Sequence, residues 1–295
     1  MSSIESRIAG APISWGVCEV PGWGWQYDAD TVLDQMREVG LAATEFGPDG
    51  FLPDAPTEKA AALSDKGLKA VGGFVPVVLH DPGHDPVPEV AEALKGFVAA
   101  GAGTLVLAAA TGSDGYDDRP VLDEAGWSTL LGNLDRLAEL AREQGLVATL
   151  HPHVGTMVEN AEDVARVVDG STIGLCLDTG HLLIGGVDPV ELAKSHTARI
   201  VHTHLKDVDA GWAAKVQSGA VSYTDAVRQG MYRPLGAGDI DLGTIVNTLE
   251  SAGYDGWYVL EQDTILTAAP EPGSAGPLAD VRASVAHLRK LAERA

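Results

Sequence analysis

Residues 173–207 read IGLCLDTGHLLIGGVDPVELAKSHTARIVHTHLKD, two short apolar segments joined by a spacer of helical character. In the first, Ile173, Leu175 and Leu177 alternate with Gly174, Cys176 and Asp178. A strand has a side-chain period of two, so the large aliphatics face one way and the small residues and the carboxylate the other. That division suits a barrel strand, crowded inside and covered by helices outside. The second segment repeats it: Val201 and Thr203 share one face, and His202, His204 and, if the strand extends, Lys206 share the other. Both segments carry their polar groups at the C-terminal end, where (β/α)8 barrels build their active sites.

Working outward, short apolar runs recur near residues 11–17, 41–46, 70–76, 104–109, 147–151, 173–177, 200–204 and 257–261. Between them lie segments of helical periodicity, such as Val32, Leu33, Met36 and Val39, or Leu130, Leu134 and Leu137. Most repeats are about 30 residues long, the size of a βα unit. The expectation is an α/β fold, a (β/α)8 TIM barrel formed by residues 1–295 as one domain; an open doubly wound sheet is the alternative. Two connections are longer than the rest, 111–121 after the fourth strand and 208–242 after the seventh. Long loops on a barrel are usually functional. In the second, Val216, Val221, Ala226 and Val227 permit a helix, so an insertion serving as a lid is expected.

The 42 acidic residues outnumber 20 basic ones for a net charge of −22, and a surface of that sign repels phosphate backbones. Nucleic acid is therefore excluded as a partner. MSSIESRIAG at the start lacks a basic stretch followed by an apolar one, and nowhere do about 18 apolar residues run together. The expected setting is cytoplasmic, away from membranes. Cys18 and Cys176, far apart, suggest neither a disulfide framework nor a thiolate zinc motif.

The fifth strand ends LVATLHPHVG, where alternation places Thr149, His151 and His153 on one face and Pro152 marks the end. The eighth, GWYVLEQD, places Trp257, Val259 and Glu261 on one face. Strands five to eight thus offer His151, Asp178, His204 and Glu261 at one barrel mouth. Burying two carboxylates together is costly without a cation. Two imidazoles and two carboxylates suit Mn²⁺ or Co²⁺, with Zn²⁺ or Fe²⁺ as further options, rather than Ca²⁺. An octahedral ion would keep two open positions, enough for adjacent oxygens of a hydroxyketone. His181 lies on the turn after Asp178, within reach of substrate. Lys206 either pairs with Asp207 or transfers a proton, with a pKa lowered by burial beside a cation. Glu45, ending the second strand, is a further inward candidate, and Trp15, Trp23 and Trp25 can offer aromatic faces to a polyol ring.

Several stretches together carry a resemblance: APISWG at 11–16, TEFG at 44–47, HPHVGTMVEN at 151–160, LDTGH at 177–181, HTHLKD at 202–207, and GDIDLGTIVNTLESAGYDGWYVLEQD at 238–263. Their order and spacing resemble the xylose isomerase-like barrel superfamily of sugar isomerases and epimerases, and within it the inosose dehydratase family. Many isomerases and epimerases of the superfamily carry glutamate where His151 stands, a departure that favours the dehydratases. The resemblance implies a divalent ion on His151, Asp178, His204 and Glu261, and loss of water from a cyclic polyhydroxy ketone, 2-keto-myo-inositol, through an enolate. His181 and Lys206 are then the proton-transferring pair, in either order. Glu45, His153, His202 and Trp15 would bind the small polyol or ketose substrate. A ketose isomerase or epimerase, or an enzyme eliminating from keto-glycosides, is the alternative. A DNA-repair endonuclease shares this barrel, but it needs a cationic groove and more ligands. A polyol-binding protein without catalysis is opposed by the intact ligand set. Such barrels often associate, so a homo-oligomer is possible.

Overall fold

Eight parallel strands, each too short and too apolar to stand alone, line up in chain order in the computed structural model, which describes residues 3–271, 274 and 276–293. They are β1 (Ile8–Gly10), β2 (Ala43–Thr44), β3 (Lys69–Ala70 continuing as Gly72–Val78), β4 (Thr104–Ala110), β5 (Val147–Leu150), β6 (Gly174–Asp178), β7 (Ile200–Leu205) and β8 (Tyr258–Leu260). β1 pairs with both β2 and β8. The first segment of β3 pairs with β2 and the second with β4, so both edges of the sheet belong to one strand and the sheet closes. Gly72 permits the break: a Cβ there would stand 1.8 Å from the Thr104 carbonyl oxygen.

Helices follow the strands and wrap the barrel, among them Ala29–Glu38, Glu124–Glu143, Ala161–Gly170 and Pro277–Ala292. Side-chain oxygens start many of them. Asp28, Asp123 and Asn160 each accept a backbone N–H of the first turn. The alternation read from sequence divides the core in two. Leu105, Leu107, Leu175 and Leu177 pack with helix residues Leu130, Leu134 and Leu137 in the main apolar cluster. Small residues, Ala9, Ala43, Val71 and Val259, form a separate cluster, with Val259 in register with His204.

The first strand departs from expectation. Residues 11–17 form no strand; Pro12–Trp15 is a 3-10 turn. Pro12 has no N–H to give a ladder, and Gly16, at φ +83, ends the turn in the left-handed region. The strand lies just before it. The 208–242 insertion holds two short helices, Ala210–Gln217 and Tyr223–Arg228, and an antiparallel ribbon of Asp207–Val208 with Tyr232–Arg233. Its apolar residues, including Tyr223, Ala226, Val227 and Tyr232, pack with Cys18, Trp23 and Val154 in a second cluster above the barrel strands. Asp207 fastens the return path by accepting the amides of Gly236 (2.8 Å), Gly238 (2.9 Å) and Ile240 (3.1 Å). Among the described residues no helix is long and apolar enough to cross a membrane.

Candidate metal centre

Asp178, the last residue of β6, divides its carboxylate between fold and site. Oδ1 accepts the His181 amide at 2.7 Å and caps the helix Thr179–Ile184. Oδ2 faces inward, 3.1 Å from His151 Nε2 and 3.6 Å from His204 Nδ1. Glu261, just past β8, brings Oε2 to 2.7 Å from His204 Nδ1. His151, Asp178, His204 and Glu261 are all buried, and one donor atom from each lies within 4.8 Å of the others.

The residues themselves test whether a cation fits. His204 Nδ1 and Glu261 Oε2 are buried side by side, yet neither has a hydrogen bond of acceptable geometry. Two buried polar atoms held 2.7 Å apart without a hydrogen bond, one of them beside the Lys206 ammonium, are what a metal ion would satisfy. Behind them, Glu45 Oε1 accepts from Nε2 of His204 (2.9 Å) and of His202 (2.8 Å). Burial works against a charge on His204, but its neighbours Cys176, Glu261 and Glu45 outweigh burial and hold the ring well above the usual imidazole value; with Nε2–H committed to Glu45, a metal ion would take the place of the Nδ1 proton. Charge agrees as well. Asp178, Glu261 and Asp263 lie 3.6, 2.9 and 2.6 Å from the Lys206 ammonium, so three buried carboxylates share one lysine. A divalent ion would supply further positive charge to this cluster.

The sequence predicts a Lys206 pKa lowered by burial and a neighbouring cation; the carboxylates around it act in the opposite direction. Burial works against its charge, but Asp178, Asp263 and Glu261 outweigh burial and hold the ammonium well above its ordinary value. Nor does it pair with Asp207, whose carboxylate is spent on loop amides. Two imidazoles stand beside this cluster, His153 and His181, with ring centroids 3.6 Å apart. Burial, reinforced by the charges of His151 and Lys206, holds His153 well below the usual imidazole pKa; burial and His153 do the same for His181. Both are therefore neutral, and their backbone contacts distinguish them. His153 Nδ1–H donates to the Val154 carbonyl at 2.7 Å, which leaves a lone pair on Nε2. His181 Nδ1 accepts the Val154 amide at 3.4 Å, so its proton sits on Nε2, 3.6 Å from Asp263 Oδ2.

Part of this cluster meets a cavity of about 480 Å³ whose buried polar lining is Glu45, His151, His153, Lys206, Glu261 and Asp263; Asp178, His181 and His204 do not line it. His202 lies behind Glu45 and does not line it. Trp15 is also removed from it: the 3-10 turn sends its fully buried ring into the main core, with Nε1 donating to Gln35 at 2.7 Å. Trp23 is the tryptophan of that region that reaches the cavity, while Trp25 packs on Tyr27.

The profile of the xylose isomerase-like TIM barrel matches residues 33–291. The chain belongs to the xylose isomerase-like TIM-barrel family. It is 34% identical to the inosose dehydratase of Geobacillus kaustophilus, over 87% of each chain. It is 31% identical to the rhizopine catabolism protein MocC of Rhizobium meliloti, covering all of this chain and 91% of the other. Among solved structures, the IOLI protein with a bound zinc atom superposes with a TM-score of 0.70 at 14% identity, over 98% of both chains.

In this family member, sequence reading missed several residues of the site. Asp263 follows Glu261 at the strand period of two and was the most accessible of them. Tyr223 and Tyr232 come from the insertion, where no periodicity refers to the barrel. Tyr223 OH donates to Asp263 Oδ2 and meets Tyr232 OH at 3.0 Å. Tyr116, from the 111–121 connection, donates to Glu19 across the cavity mouth.

Proposed function

We propose that the protein is a metal-dependent hydro-lyase that removes water from the cyclic ketone 2-keto-myo-inositol (inosose), in inositol catabolism. The observation that carries this reading is the convergence, at one cavity, of a four-residue cation set that reaches it through His151 and Glu261, a neutral imidazole with a free lone pair and a charged ammonium. The 34% identity to an inosose dehydratase supplies the substrate. His151, Asp178, His204 and Glu261 would hold the ion, Mn²⁺ or Co²⁺, and when bound it supplies positive charge to the ketone oxygen and acidifies the neighbouring C–H.

The chain's own residues then divide the proton work. His153 Nε2 has the lone pair and the cavity exposure to take the α-proton, a role for which the sequence offered His181 and Lys206 without choosing between them. Lys206 Nζ has the proton to give to the departing β-hydroxyl, so that the C–O bond breaks with water as the leaving group. His181 Nε2–H serves as a second donor, held near Asp263. Glu45 keeps both His202 and His204 in one tautomer. The cavity encloses the reaction, and a low-dielectric setting strengthens each of these interactions.

The test is turnover. Purified protein is supplied with Mn²⁺ or Co²⁺ and 2-keto-myo-inositol, and the diketone product is followed by ultraviolet absorbance and mass. Loss of one water per turnover is expected. A product of unchanged mass would assign the protein to the epimerases, and no reaction with either ion would remove the reading.

A further inference from the structure

Lys206 is held by more carboxylate than the cation set requires. Asp178 and Glu261 belong to that set, but Asp263 does not, and it makes the shortest contact to Nζ, 2.6 Å. A third buried carboxylate costs desolvation energy that an apolar side chain of similar volume would not. Its second oxygen is occupied from the insertion: Tyr223 OH donates to Oδ2, and Tyr232 OH lies 3.0 Å from Tyr223 OH. The Tyr232 ring stands 5.5 Å from Nζ, so the insertion contacts the ammonium's surroundings from two directions. Tyr223 and Tyr232 are themselves nearly inaccessible and sit in the apolar cluster of the insertion.

We propose that Tyr223 is a positioning residue of this site: its hydroxyl orients the Asp263 carboxylate, and that carboxylate fixes Lys206 Nζ beside the cation set. The 208–242 insertion is then a permanent wall of the catalytic apparatus rather than a detachable lid. The alignment runs Tyr223 to Asp263 to Lys206, with Gly180 leaving the space in which the lysine stem lies, since a Cβ there would come 2.7 Å from Lys206 Cβ. No bond is made or broken by Tyr223, and its effect on the reaction passes through Lys206. The kinetic arm of this inference rests on the dehydration reading above; the spectroscopic arm does not.

The test uses the full chain loaded with Mn²⁺ for kinetics, and the metal-free chain labelled with ¹⁵N-lysine for spectroscopy. Tyr223→Phe removes the hydroxyl and keeps the ring; Asp263→Asn breaks the same link from the other side; Lys206→Met assigns the buried ammonium resonance. With 2-keto-myo-inositol, Tyr223→Phe should keep wild-type metal content and KM within about twofold, while kcat falls roughly 10- to 100-fold. Its Lys206 ammonium signal should shift and exchange with water faster than in the wild type, and Asp263→Asn should change the signal in the same direction. An unchanged kcat, or an unchanged Lys206 resonance in folded Tyr223→Phe, overturns the proposal. If the wild type turns over no inosose and the resonance still responds, the dehydration reading fails and the positioning role stands.

Discussion

Stripping the cation should cost measurable thermal stability, and the structure sets its origin and size. Without an ion, Asp178, Glu261 and Asp263 share the Lys206 ammonium, with His204 Nδ1 2.7 Å from Glu261, in a buried cluster rich in carboxylates. The native state therefore binds a divalent ion that the unfolded chain, with these residues dispersed, does not. With free ion held 100-fold above its dissociation constant, linkage gives about 2.7 kcal/mol, and at 1,000-fold about 4.1 kcal/mol. Unfolding entropy near 2.1 cal/mol/K per residue amounts to about 0.6 kcal/mol/K for this chain. The melting temperature should then rise by about 4 °C in the first case and about 7 °C in the second. The assay is scanning calorimetry of chelator-treated protein titrated with Mn²⁺, repeated on His204→Ala. That variant loses the ring whose Nδ1 faces Glu261 and should show little of the rise. Equal melting temperatures for stripped and loaded wild type, or a full rise in His204→Ala, would refute the assignment of the ion to this cluster.

Glu45→Gln keeps an acceptor oxygen but removes the negative charge that faces both imidazoles, and metal affinity measured by calorimetric titration should fall roughly 10- to 100-fold with the circular dichroism spectrum preserved. Gly180→Ala places a methyl 2.7 Å from Lys206 Cβ and 2.9 Å from a Tyr232 ring carbon. Stability in urea should drop by about 1–3 kcal/mol and kcat by roughly 100-fold as Lys206 is displaced. Asp207→Ala abandons the amides of Gly236, Gly238 and Ile240. It should cost at least about 1–3 kcal/mol and hasten proteolytic cleavage within 234–241; an unchanged cleavage rate would count against the tether. Among the described residues lining the cavity, Lys206 is the one lysine or arginine, and Glu19, Asp49 and Glu89 also line it. Phosphorylated ketoses should therefore have kcat/KM below about one-hundredth of the neutral ketone's, and comparable rates would show that another group receives the phosphate.

What could be read in advance followed the geometry of strands. A period of two is a property of the backbone itself, so Asp178, His202 and His204 could be placed on the inward face from their neighbours alone, and His151 and Glu261 by extending β5 and β8 one residue. The same extension reaches Asp263, which the parity of LEQD already implied. Parity says which face a residue takes but not how far its side chain reaches or what stands opposite. Glu45 therefore read as a substrate contact, and only closure of the barrel, which brings residue 45 within 2.9 Å of residue 204, makes it the partner of two histidines. Trp15 failed for the opposite reason: its position near a strand end was legible, but Pro12 and Gly16 convert that end into a 3-10 turn and redirect the ring. Tyr223 lies beyond any such rule. Its hydroxyl meets Asp263 because an irregular insertion folds on an apolar cluster of its own, and a contact made by packing between distant segments has no local signature. The cation set is thus the part of the site that strand periodicity encodes, and the apparatus that positions Lys206 is the part that tertiary packing adds.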